Sequence, residues 1–163
     1  VYGHAYKMNT AVVRLANNFG PRSNIRSADF GFINFFTGLA LKGKTLSVFG
    51  EGKQLRTVTF IDDTVRALLL VGTEAISSGE VYFLTAGEQC SVAEIATTIA
   101  EEVGGKVSFI EWPKDRENIE IWDAVISSKK FHDTFQWQPE FTLRTGLRRA
   151  KEFYESQLKY YLD

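Results

Sequence analysis

The sequence predicts a mixed fold of the α/β or α+β class, and three observations predict it. Short apolar runs rich in β-branched residues, such as Ala11-Val12-Val13-Arg14-Leu15, are bounded by polar turn clusters in the manner of buried strands. Between these runs lie segments whose apolar residues recur at helical spacing. Ser91-Val92-Ala93-Glu94 has the form of a capping box, a side chain at the N-cap followed three residues later by Glu. Strands and helices therefore interleave along the chain, with no internal repeat, low-complexity stretch or linker between them.

Taken in order, Val1 to Lys7 reads as the last turn or two of a helix, cut off at its beginning, and Asn9-Thr10 breaks it. The run Ala11 to Leu15 suits a buried, parallel strand, and Asn17-Asn18-Phe19-Gly20-Pro21 follows as a turn cluster. Phe30 to Lys42 carries Phe32, Phe35, Phe36, Leu39 and Ala40 on one helical face, with Asp29 as its expected cap and Gly43 as its end. Leu46 to Phe49 and Thr57 to Ile61 are strands joined through the Gly50-Glu51-Gly52-Lys53 turn, and a hairpin is the expected pairing. Asp62-Asp63 opens a helix to Gly72, since acids at a helix N-terminus favour the macrodipole. Val81 to Leu84 is a strand, and the capping box opens a helix to Val103, closed by Gly104-Gly105. Val107 to Ile110 is a further strand, Glu117 to Val125 is expected to be extended, and Ser127 or Ser128 begins a short helix to about Phe135. Thr142 to Gln157 forms a last amphipathic helix with Leu143, Leu147, Ala150, Phe153 and Tyr154 on one side.

Composition narrows the function classes. The 163 residues carry 19 Lys+Arg against 20 Asp+Glu, so there is no basic footprint for nucleic acid. The hydrophobic fraction of 44% supplies a core for a chain of single-domain length. The longest apolar run, Ala67 to Val71, is far too short to span a bilayer. Cys90 has no second cysteine to pair with, and His4 and His132 show no metal-ligand spacing. With no recognisable signal peptide either, the expectation is a soluble cytoplasmic protein that binds neither nucleic acid nor membrane.

No self-contained catalytic constellation is legible. There is no Gly-x-Gly-x-x-Gly, no Walker loop, no His-Glu-x-x-His, no Gly-x-Ser-x-Gly and no Tyr-x-x-x-Lys. Arg56, after a turn and entering a strand, reads either as a solvated arginine or as a phosphate clamp. Asp62-Asp63 reads as helix capping before it reads as a metal pair. Asn17 is a turn residue or, at the end of a strand in an open sheet, a ligand contact. Trp137 and Pro139 suit packing and helix termination, and Cys90 suits a small buried residue rather than a nucleophile.

Together these pieces resemble a family. Arg14-Leu15-Ala16-Asn17-Asn18-Phe19-Gly20-Pro21-Arg22 resembles the Arg-x-x-Asn-x-Tyr-Gly-Pro-Arg segment of the extended short-chain dehydrogenases/reductases, the NAD-dependent nucleotide-sugar epimerases, dehydratases and decarboxylases. The same order continues through Ala40 to Gly52, then Arg56, then Phe60-Ile61-Asp62-Asp63. Gly79-Glu80-Val81-Tyr82, Ser91 to Ala96, Phe135-Gln136-Trp137-Gln138-Pro139 and Thr142 to Leu147 complete it, so the resemblance covers nearly the whole chain.

The resemblance implies the C-terminal part of an extended Rossmann-type epimerase. The fold is α/β, with residual parallel strands (about residues 1–22) attached to a small mixed α/β substrate-binding domain (about residues 23–163). In this family a glycine-rich turn binds NAD, and a Tyr-x-x-x-Lys helix moves the proton while hydride passes between sugar and NAD. Neither motif is in these residues, so the implied role is the grip on a nucleotide-sugar, linked to UDP, dTDP, CDP or GDP. NAD belongs to the full-length parent, and no catalytic, cofactor-binding or metal residue is assigned here. The alternative is a non-catalytic nucleotide-binding module or remnant of the family. By position, Asn17 matches an asparagine that hydrogen-bonds the sugar nucleotide, and Ser47 and Phe49 match positions that bracket the base. Arg56 matches the arginine that grips the diphosphate, and Arg116 matches a second phosphate-binding arginine. The chain departs from the pattern at Phe83, at Glu117-Asn118, at Ser127 and at Gln136, which stand for Asn, Pro-Gly, Asp and Gly. Elements that would pack on a Rossmann half leave an apolar face, from which self-association is expected.

Overall fold

The computed structural model describes residues 1–161, apart from the side chain of Phe30. Among the described residues, seven strands and seven α-helices are mixed along the chain. Helix α1 (Tyr2–Tyr6) precedes β1 (Val12–Leu15) and β2 (Asn17–Phe19). Helix α2 (Phe32–Leu41), strands β3 (Thr45–Phe49) and β4 (Leu55–Phe60) and helix α3 (Ile61–Thr73) follow. Strands β5 (Val81–Leu84) and β6 (Glu88–Ser91), helix α4 (Val92–Glu102) and strand β7 (Lys106–Ile110) come next. The chain ends in α5 (Lys114–Glu117), α6 (Lys129–Phe135) and α7 (Leu143–Tyr161).

The strands form three small sheets. β1 pairs with β5 in parallel, and β3 pairs with β7 in parallel. β4 lies between β2, its parallel neighbour, and β6, its antiparallel one. The expected hairpin between β3 and β4 is not formed. The turn between them bonds elsewhere: Gly50 N donates to Ile110 O at 2.8 Å, and Ala93 N donates to Gly52 O at 2.9 Å. The two strands leave that turn toward different partners.

The expected turn at Asn17 to Phe19 is also a strand. The backbone stays extended through Ala16, whose N–H bonds Leu84 O, and then changes partner from β5 to β4. Its asparagines are accommodated by polar neighbours: Asn17 Nδ2 donates to Thr57 O at 3.1 Å, and Thr64 Oγ1 donates to Asn18 Oδ1 at 2.7 Å. Asp29 does not cap α2. It sits inside a 3-10 turn, Ala28–Phe30, capped by Ser27, and α2 begins after Gly31 without a side-chain cap. Residues 117–125 are largely irregular, with one bridge from Ala124 to Arg56.

The main core lies between the strands and three helices. Leu46 and Val48 of β3, Val58 and Phe60 of β4, Ile95 and Ile99 of α4, and Leu143 and Leu147 of α7 meet there. Helix α7 comes close because position 146 is glycine: a Cβ there would stand 2.7 Å from Phe60 and 2.8 Å from Phe19. A second core joins Ala67 and Val71 of α3 to Tyr82, Leu84, Phe131 and Trp137. The expected acids of α3 lie in its first turn, and Asp63 is fully buried. Its carboxylate accepts from Glu140 N and Phe141 N, both at 3.0 Å, so it fixes the approach to α7. Ser91 and Glu94 form the capping box of α4. Gln136, which departs from a glycine in the family pattern, ends α6 with φ 50°, a left-handed conformation that favours glycine.

β1 is parallel as expected but not buried as expected. Val12 and Arg14 are exposed, because among the described residues helices cover only the face carrying Ala11 and Val13, and Leu15, at the end of that face, is exposed as well. Among the described residues no helix is long and apolar enough to cross a membrane.

Candidate functional site

A cavity of about 490 Å³ opens between α2, β3 and the segment that follows β7. That volume lies within the roughly 300–1,000 Å³ of small-molecule sites. One wall is apolar, formed by Phe32, Phe35, Phe36 and Leu39 of α2, which follow one another at helical spacing. The opposite side is β3, where Ser47 and Phe49 face the cavity with Val48.

The aromatic part of the lining is built by a turn. Phe49 packs against Trp112 with ring centroids 5.2 Å apart. Gly50 has φ 58°, and a Cβ there would stand 2.5 Å from Trp112 Nε1. Only glycine serves both the left-handed turn and the tryptophan beside it. Trp122 extends the aromatic surface, with its centroid 6.2 Å from that of Trp112. Flat rings of this kind suit an aromatic ligand group.

The polar part comes from two residues of β4 and its approach, and from α5 and the residue run beyond it. Gln54 is buried, and its side-chain oxygen has no hydrogen-bond partner among the described residues. Arg56 reaches in from β4, Arg116 from α5, and Glu120 from the irregular segment beyond. Arg56 is neither solvated nor open. Its guanidinium pairs with Glu120 at 2.6 Å and also donates to main-chain carbonyls of residues 55, 121 and 122. No other described residue bonds or ion-pairs with the Arg116 guanidinium.

The structure thus brings Ser47, Phe49, Arg56 and Arg116 into one cavity lining. Asn17 is not in that lining, and its amide is committed to Thr57 O. The sequence reading passed over Gln54, Trp112 and Glu120. Gln54 lies in the stretch between β3 and β4, with no local pattern that marks it for the cavity. Trp112 and Glu120 converge on the site from a distant stretch, which no local pattern marks.

Other ionisable groups away from the cavity are structural. The Cys90 thiol is pushed up to about 12, first by burial and then by the carboxylates of Glu88 and Glu94. It is a poor nucleophile. Among the described residues no group of three or more His, Cys, Asp and Glu side chains could hold a metal ion.

Comparison with known proteins places the chain. Residues 1–85 match the model of the NAD dependent epimerase/dehydratase family. The chain is 31% identical over 153 residues to the low-salt glycan biosynthesis protein Agl12 of Haloferax volcanii, covering 94% of this chain and 47% of that protein. It is 29% identical to dTDP-glucose 4,6-dehydratase 1 of Escherichia coli, covering 95% of this chain and 43% of the enzyme. Its fold matches that of Thermotoga maritima UDP-glucose 4-epimerase, solved with UDP-glucose, with a TM-score of 0.82 at 24% identity over 96% of this chain and 49% of that one. The chain spans about half the length of these relatives. The motif order, the α/β architecture with its parallel ladders and the family match agree: this chain belongs to the NAD-dependent epimerase/dehydratase family.

Proposed function

We propose that this chain is the nucleotide-sugar-binding portion of an NAD-dependent sugar-nucleotide epimerase or dehydratase. The observation that supports this reading is the cavity that Ser47, Phe49, Arg56 and Arg116 line together. Its aromatic side takes the base, and its guanidiniums take the diphosphate, whose oxygens match the planar N–H fork. The buried oxygen of Gln54 offers an acceptor to an N–H on the ligand. Asn17 positions β2 through Thr57 in this reading, rather than gripping the sugar. UDP- and dTDP-linked sugars are the first candidates, since relatives bear those substrates in their names.

In this reading NAD is held outside these residues. A pyrophosphate seat needs free N–H groups at a helix N-terminus after a glycine-rich turn. Where β4 runs into α3, Asp62 and Asp63 occupy the first turn, and where β6 runs into α4, Glu94 closes the capping box. These carboxylates repel a pyrophosphate. In this reading residues of about 1–22 are the last elements of a cofactor-binding half. The chain by itself turns nothing over, because no Tyr-x-x-x-Lys pair is present to move the proton. The open face of the β1–β5 pair also supports self-association, which light scattering would report as a mass above that of one chain.

Thermal-shift and calorimetric titration with UDP, dTDP, CDP, GDP and NAD tests the reading. A ligand that binds only the folded state raises the melting temperature, by about 2.7 kcal/mol of stability at a hundredfold excess over Kd. We expect a rise with one nucleoside diphosphate and none with NAD, lost in Arg116→Ala and in Arg56→Ala. No rise with any of them, or turnover of a nucleotide-sugar by this chain with added NAD, overturns it.

A further inference from the structure

The arginine best suited to grip a diphosphate is closed on its own chain. Arg56 Nη1 donates to Leu55 O at 2.9 Å and to Trp122 O at 2.7 Å. Arg56 Nη2 donates to Glu120 Oε1 at 2.6 Å and to Ile121 O at 2.9 Å. A guanidinium has five N–H donors, of which these two nitrogens carry all but one. Both ends of the fork are therefore occupied, and the side chain is only 13% exposed. Arg116, in the same cavity, holds no such partner among the described residues.

The segment that occupies Arg56 has little else to hold it. Ile119, Ile121 and Trp122 are 76%, 70% and 58% exposed, so apolar burial does not anchor it. Besides Arg56, its ties to β4 are Leu55 N to Asp123 Oδ1 at 2.8 Å and Ala124 N to Leu55 O at 2.9 Å. Its exposed apolar side chains and the fewness of its ties beside those to Arg56 mark a strap. A carboxylate and a phosphate present similar oxygens to a guanidinium, so the two compete for one seat.

We propose that Glu120 is an internal stand-in for the anion of the ligand, and that residues 119–123 form a latch which the diphosphate displaces from Arg56. This rests on the reading of the cavity as a nucleotide-sugar site. Arg116 meets the incoming diphosphate first, because no described residue holds its guanidinium. Exchange at Arg56 then releases Glu120 and moves Trp122, whose carbonyl Arg56 holds. A site that is open only a fraction of the time binds more weakly by that fraction. A latch closed about nine-tenths of the time weakens binding by about tenfold, and removing its carboxylate restores that factor.

The test is calorimetric titration of the whole chain, as wild type, Glu120→Ala and Glu120→Gln, with inorganic pyrophosphate, UDP and dTDP. Tryptophan emission is followed in parallel. Glu120→Gln keeps the side-chain shape and an acceptor for Arg56, so it separates loss of charge from loss of structure. The expected result is binding about tenfold tighter in Glu120→Ala, with Glu120→Gln between it and wild type. Emission of ligand-bound wild type should move toward that of unliganded Glu120→Ala. Equal or weaker binding by both variants, where wild type does bind, overturns the latch and leaves the nucleotide reading standing. Tighter pyrophosphate binding in Glu120→Ala with nothing added by a nucleoside supports the latch and removes the nucleotide reading. No binding of any of the three ligands by any of the three proteins overturns both.

Discussion

β4 and β1 are both parallel-paired strands rich in apolar and β-branched residues, yet they end in opposite environments. From Thr57 to Phe60, β4 is buried on both faces, with β2 and β6 beside it and α7 packed on it. Among the described residues β1 has one neighbour, β5, and its outer face exposes Val12 and Arg14 beside Val81 and Phe83. On that face Arg14 lies over the Phe83 ring, at 5.3 Å. Strand formation follows from the residues and the ladder; burial follows from what is packed on each face. A parallel strand has the composition of something covered twice, and here only one of the two strands is. Stability should therefore be concentrated around β4.

The largest effect that would break this comparison is expected at Leu147. It is fully buried in the core that α7 forms with β4 and α4. Leu147→Ala should cost about 2–5 kcal/mol, the range for a truncated core leucine. Val12→Thr, on the open face of β1, should stay within about 0.5 kcal/mol, as surface changes do. Urea midpoints at constant m-value measure both. Comparable costs at the two positions would mean that the outer face of β1 is covered in solution.

A smaller effect is expected where α7 meets the end of β2. The Tyr154 hydroxyl donates to Gly20 O at 3.0 Å and accepts from Ser23 N at 3.0 Å, inside a third core with Ile25 and Ala150. Burial pushes its phenol up to about 12. Tyr154→Phe keeps the ring and strips both partners, at a cost of about 1–2 kcal/mol. Faster amide exchange at Ser23 should accompany it. An unchanged midpoint with unchanged exchange would show that this junction is held by ring packing alone.

The helices were the most legible part of the sequence. The Ser91/Glu94 box, the acids opening α3 and the stripe of Leu143, Leu147, Ala150 and Tyr154 are local patterns, and local hydrogen bonds realise them. Strand existence was legible wherever β-branched runs occur. β6 was not, because Glu88-Gln89-Cys90-Ser91 carries no strand signal and is extended only through its ladder with Leu55 to Val58. Pairing was illegible throughout: β3 finds β7 some sixty residues away, past a turn that looks like a hairpin. The same limit applies to the cavity. Family resemblance supplied Ser47, Phe49, Arg56 and Arg116, but the closure of Arg56 on Glu120 is a tertiary contact between residues 64 positions apart.

The smallest and most conditional effect lies at the surface joint between α4 and α7. Glu102 accepts from Arg148 Nε at 2.6 Å and also pairs with Arg144, while Glu101 pairs with Arg144 at 2.6 Å. The bond from Arg148 is the main reason that the Glu102 carboxyl is held down at about 2, against an ordinary value of 4.5. A lowered folded-state pKa means that the unfolded chain binds the proton first. The stabilisation by Glu102 is thus complete above about pH 4.5 and is lost as pH falls toward 2. Glu102→Gln should be less stable than wild type near neutral pH, and the gap in urea midpoint should close across that window. About 1 M salt, with a Debye length near 3 Å, should narrow the gap at neutral pH as well. A gap that stays flat through the acid window would assign the joint to the packing of Ile95 and Ile99 beside Leu143 and Leu147. The core around β4 would then hold α7 without help from its charges.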